Sequence, residues 1–175
     1  MGHGEGAGEG SPGASRDAAL LALVQIAREP LAETLACAYL GWSVADLHGA
    51  LDRSAGVVVR DAAGRIAPAP AARDDAPLTP EHARDHHRDL ASWCGRDLAT
   101  IWERSDEPQE EARRAYGRRH YVTHLALGEQ WDTLWLVLDD ERYARGKQAG
   151  LDSGTLAYAR DLDRARAAAA CCAAP

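Results

Sequence analysis

The feature that most constrains this chain is the stretch Pro68–Pro80, PAPAARDDAPLTP, in which four of thirteen residues are proline. Proline lacks the amide donor a helix interior needs and its ring collides with the preceding turn, so the stretch reads as a linker. It divides the chain into a segment at 17–67 and a segment at 81–170. Residues 1–16 read as a flexible leader, because the run GHGEGAGEGSPGAS from Gly2 carries a high backbone-entropy cost of ordering. That run lacks the Gly-Lys-Ser/Thr ending and the preceding apolar strand of a phosphate loop. Residues 171–175 read as a tail.

The first segment alternates helix and stop signals. Leu20, Leu21, Val24 and Ala27 recur at helical spacing in a helix from Asp17 that ends before Pro30. A short helix over Leu31–Leu40 follows, turning inward Leu31, Leu35 and Ala38 and stopped by Gly41. Ser43 then caps a third helix, Val44 to about Ser54, with Leu47 and Leu51 inward. The β-branched run VVVR, the turn DAAG and the run RIA predict a hairpin. Three helices and a hairpin over 17–67 make the pattern of a winged helix-turn-helix.

The second segment predicts five helices joined by short connections, a bundle or arm. Thr79, Pro80 and Glu81 form a helix start, and Leu90, Trp93, Leu98, Ile101 and Trp102 stripe a helix to about Ser105. The next runs from about Pro108 to Gly128 with Tyr116, Tyr121, Leu125 and Leu127. Trp131, Leu134, Trp135 and Leu138 define one face of a third. Two more cover Glu141–Ala149 and Ser153–Ala170. The fold class expected is mainly α, a winged helix-turn-helix with a small hairpin wing followed by a helical bundle or arm.

A formal net charge of −7 makes the whole chain a poor ligand for polyanions. The third helix, SVADLHGALDRS, presents Asp46 and Asp52 where a DNA-reading helix needs cations, and Arg60 and Arg65 on the wing are offset by Asp61. Contact with nucleic acid is therefore disfavoured. No run of about 18 apolar residues marks a membrane span. Cys37, Cys94, Cys171 and Cys172 lack the paired spacing of a zinc or redox motif and read as reduced thiols, which points to the cytoplasm.

Tools for catalysis are not expected. His82 and His86 share a helix face at i, i+4 near Glu81, Asp85 and Asp89, but Ala83 stands where a metalloprotease motif places glutamate. They read as a hydrated polar face. His120 and His124 repeat the spacing among Tyr116, Tyr121 and Trp131 and read as packed imidazoles. Cys94 beside Trp93 reads as an inert buried thiol. The carboxylates read as solvated and paired with arginine at helical spacing, as in Asp85 with Arg88 and Asp161 with Arg164. No catalytic, cofactor or metal residue is assigned. The cluster Arg113, Arg114, Arg118 and Arg119, preceded by Glu107, Glu110 and Glu111, is the one basic face and the candidate partner-facing surface.

The run LLALVQIAREPLAETLACAYLGWSVADLHGALDRSAGVVVRDAAGRIA resembles the winged-helix segment of STAND signalling ATPases, the NACHT and NB-ARC class. The run YGRRHYVTHLALGEQWDTLWLVLDDERYARGKQAG, continuing to YARDLDRARAA, is similar to the helical arm of bacterial members. The resemblance implies a non-catalytic regulatory or protein-interaction module in bacterial signalling or phage defence, whose partner is a nucleotide-binding ATPase subunit. The histidine and phenylalanine that family members carry after the wing are replaced here by RIAPAPAARDDAPLTP, so no nucleotide site carries over. A winged-helix transcriptional regulator is the alternative.

Overall fold

Ser43 shows why the chain folds locally as it does. Its hydroxyl accepts from the Asp46 amide while Asp46 reaches back to the Ser43 amide, a reciprocal cap that satisfies orphan donors of the helix that follows. In the computed structural model, which describes residues 12–70 and 78–172 (side chains over 15–70 and 78–169), that helix is α3, Val44–Arg53. It follows α1, Pro12–Ile26, and α2, Glu33–Leu40. Strands β1, Val58–Arg60, and β2, Ile66–Pro68, pair antiparallel with Val59 opposite Ala67. Asp61 closes their turn by accepting from the amides of Ala63 and Arg65.

Five further α-helices follow among the described residues. They are α4, Pro80–Gly95; α5, Pro108–Leu127; α6, Trp131–Asp139; α7, Glu141–Gly150; and α8, Gly154–Cys172. The described residues are thus mainly helical, bundle-like, with one two-stranded sheet. No helix among them is long and apolar enough to cross a membrane. Thr79 caps α4 by accepting from the His82 amide, with Pro80 in the first turn.

Helix α5 is the spine. It packs along α4 and also against α2, α6 and α8, so Leu20, Leu35 and Leu47 of the first segment share one buried cluster with Leu90, Tyr116 and Leu125 of the second. The two segments separated by the proline stretch are therefore packed together through a common core. Residues 71–77 of the expected linker, 1–11 of the expected leader and 173–175 of the expected tail lie outside the described residues.

Three boundaries and one buried face differ from the sequence expectation. Helix α1 starts at Pro12, inside the expected leader, and Arg16 on it is held by an ion pair to Asp46 of α3. Leu31 is not helical, because its backbone exchanges two hydrogen bonds with Ile66 at 2.8 and 2.7 Å, delaying α2 to Glu33. Helix α4 stops at Gly95 rather than near Ser105. There Tyr121 of α5 lies so close that a Cβ on Gly95 would sit 2.6 Å from its hydroxyl oxygen, and the chain continues as a short 3-10 turn at Leu98–Thr100. On α6 the buried face is Leu134, Val137 and Leu138, leaving Trp135 39% exposed instead of inward.

Candidate functional site

A cavity of about 570 Å³ opens where the two segments meet. Arg28, Glu29 and Pro30 of the α1–α2 connection form one wall, Pro68 of β2 another, and Ala83 and His87 of α4 the third. His87 sits here because it shares the inner face of α4 with Leu90, Ala91 and Cys94, three, four and seven residues on.

Behind His87 runs a buried polar chain. Its Nδ1 lies 2.8 Å from Nδ1 of His124, a fully buried residue of α5, and Nε2 of His124 lies 2.9 Å from the hydroxyl of Tyr116, eight residues earlier on the same helix. That hydroxyl oxygen accepts from the Arg28 amide at 3.2 Å. The accounting fixes a direction. With its oxygen already accepting, Tyr116 places its own proton on His124 Nε2, so His124 Nδ1–H donates to His87 Nδ1, and His87 carries its proton on Nε2. Any other order leaves a buried hydroxyl proton or two facing lone pairs without a partner.

Burial keeps these rings neutral. Desolvation, with smaller repulsions from Arg28 and His86, lowers His87 to about 4. Desolvation, then His87, His120 and Arg28, pushes His124 still further down. Burial likewise raises the Tyr116 phenol well above its ordinary value. Glu29, at the rim, is opposed by burial but held down to about 2 by the His120 ring and the Arg119 guanidinium beside it. His120 Nε2 lies 3.2 Å from Glu29 Oε2.

The arginine cluster expected to face a partner is mostly internal. Arg113 is 1% exposed and donates to the carbonyls of Cys94 and Trp93 at the end of α4 while its guanidinium is clamped by Glu110. Arg114 and Arg118, at 12% and 14%, donate to the carbonyls of Glu103 and Ile101 in the irregular stretch after α4. Their shared task is to satisfy carbonyls that no helix ladder reaches. Arg119 alone stays substantially exposed, at 43%, and pairs with Glu29. Asp161 is also corrected: it is buried, not solvated, and pairs with Lys147 at 2.7 Å as well as Arg164.

His82 lies exposed and His86 half-buried on α4, and no group of three or more metal-binding side chains comes together among the described residues. Cys94 is fully buried, with burial pushing its thiol up to about 12. Sequence reasoning missed the His87–His124 pair, since 37 residues separate them. The helical spacing of His87 to Leu90, Ala91 and Cys94 was the signal that placed it inward.

On the other side, the α3 and hairpin face has its cations already matched. Arg16 pairs with Asp46, Arg53 with Asp17, Arg60 and His48 with Glu33, and Arg65 with Asp61, while Asp52 has no ion-pair partner among the described residues. A concavity between α3 and β1, about 600 Å³, is lined by His48, Asp52, Val59 and Arg60. No family model, curated protein or solved structure matches this chain.

Proposed function

We propose that the chain is a non-catalytic, cytoplasmic regulatory module that works by docking on a protein partner. Residues 17–67 act as its winged helix, and the helices from Pro80 onward as an arm related to that of STAND signalling ATPases. The observation that carries the reading is the charge pairing on the α3 and hairpin face. Among the described residues each arginine there is matched by a carboxylate and Asp52 is left over, so these residues offer phosphates no free cation. Exposed Val44, Val57 and Val59 beside those pairs give it the mixed apolar and charged character of a protein contact.

The winged-helix reading is supported by the order of elements. A one-residue bridge at Leu31 pairs with Ile66 between α1 and α2, so Leu31 and the hairpin together take the place of a three-stranded wing sheet. The partner proposed is a nucleotide-binding ATPase subunit. Affinity capture from the native host followed by mass spectrometry is expected to recover such an ATPase, and its loss on reversing charge at Asp52 and Glu33 marks the α3 face as the contact. Capture without any nucleotide-binding protein removes the reading. The alternative, a transcriptional regulator, predicts a salt-sensitive gel shift on DNA upstream of its own gene, and we expect none even at low salt.

A further inference from the structure

We infer that the cavity between Arg28, Pro68 and His87 is an effector site for a small organic carboxylate with an apolar body. Three independent features of the cavity meet in that ligand. The first is an uncompensated cation. The Arg28 guanidinium makes no ion pair or hydrogen bond with any described residue, whereas the other charges at the rim, Glu29 and Arg119, neutralise each other. Among the described residues the wall therefore carries a net positive charge.

The second is a donor of fixed direction. His87 is 8% exposed, its Nδ1 is committed to His124, and the proton order set by Tyr116 leaves Nε2–H as the free end of the chain, on the ring edge away from His124 and at the cavity. A donor whose orientation is fixed by the buried His124 and Tyr116 behind it loses little entropy on binding an acceptor. The third is the lining. Ile26, Pro30, Pro68, Leu78 and Ala83 are apolar, and the volume falls within the range of small-ligand pockets. A single cation with a single fixed donor suits a monoanionic carboxylate. Phosphate needs more donors than these walls supply.

The site bridges both segments, so an occupant holds the α1–α2 connection and β2 against α4. Nothing in this inference depends on whether the α3 face meets protein or DNA.

Benzoate, its neutral isostere benzamide, and inorganic phosphate are the probes, titrated calorimetrically into the full chain. Benzoate is expected to bind with a Kd on the order of 1 mM or tighter, and benzamide and phosphate at least about tenfold more weakly. In nitrogen-15 histidine spectra the His87 Nε2–H resonance shifts with benzoate while its Nδ1 remains an unprotonated acceptor. Arg28→Gln weakens benzoate by about tenfold or more with little change in thermal stability, because the side chain it removes has no partner among the described residues. Ala83→Leu, which fills the cavity and leaves the histidines in place, abolishes binding. No heat and no His87 shift at roughly 10 mM benzoate, equal binding of phosphate, or indifference to both substitutions overturns the inference.

Discussion

Two of the polar networks buried among the described residues are built on opposite principles. At the junction of the two segments, Arg28, Tyr116, His124 and His87 form a neutral, directional chain that ends at a cavity. Between α7 and α8, Lys147 and Asp161 form an ion pair, each 1% exposed, that ends nowhere. The three protons of Lys147 meet Asp161, the Tyr143 hydroxyl and the Arg119 carbonyl, while Tyr143 donates back to Asp161 and Arg164 fills its other oxygen. Every proton of Lys147 and Tyr143 there is used within the fold. A closed network can only hold helices together, whereas an open-ended one has a spare group to offer a ligand.

The sharpest way to break this contrast is to remove one member of the closed pair. Asp161→Ala leaves the Lys147 ammonium buried without a counter-charge, and we expect a loss of about 3–5 kcal/mol in urea unfolding. The double substitution Lys147→Met with Asp161→Leu should recover most of it, since apolar side chains of similar volume need no partner. A single Asp161→Ala effect below about 1 kcal/mol would show the pair to be solvated instead. Trp102 seals this end: a Cβ on Gly146 would lie 2.5 Å from its indole, so only glycine lets the ring lie flat on α7.

At the open network the largest expected effect is smaller. Tyr116→Phe strips the hydroxyl that stands between the Arg28 amide and His124, leaving a donor and an acceptor unpaired for a loss of about 1–3 kcal/mol. It also frees His124 from its fixed tautomer, which is read directly as a changed nitrogen-15 pattern of its ring. If the His124 and His87 signals are the same in the variant, the proton order assigned here is wrong.

Acid tests the open network by a different measurement. His87 and His124 are held neutral in the fold, with folded pKa values below the unfolded value near 6.5. The unfolded chain therefore binds more protons than the folded one as pH falls from about 6.5 toward 4, and stability declines, by up to about 1.4 kcal/mol per pH unit for each ring. His124→Gln should flatten that slope. Below about pH 4.5, Glu110 and Glu29, both depressed to about 2, add losses of the same sign. Glu110 owes its shift first to Arg113, against the cost of burial.

What could be read from the sequence was what is decided within a few residues. The Ser43–Asp46 cap, the Thr79–Pro80 start, the Pro108 start and the hairpin turn are local chemistry, and each lies where its residues predict. The polar interior was not legible in this way. His124 finds His87 across 37 residues, and Lys147 finds Asp161 from the next helix, so no spacing rule pairs them. Arg113 misled for a related reason: a run of arginines beside glutamates is the pattern of a solvated face, and only the unravelling of α4 at Gly95 creates the carbonyls that draw Arg113, Arg114 and Arg118 inward.

Arg119 touches both networks, and its replacement should have the smallest effect. Its side chain holds Glu29 at the cavity rim while its carbonyl faces Lys147. Arg119→Gln removes only the exposed ion pair, so the stability loss should stay below about 1 kcal/mol. The Glu29 carboxyl, now held by His120 alone against the cost of burial, should titrate above its present value of about 2, which carboxyl carbon-13 spectra would follow. The carbonyl is untouched by the substitution. Combined with Asp161→Ala, the two losses should therefore add to within about 0.5 kcal/mol. A coupling well above that would mean the networks communicate through α5, and the division into an open site and a closed brace would have to be abandoned.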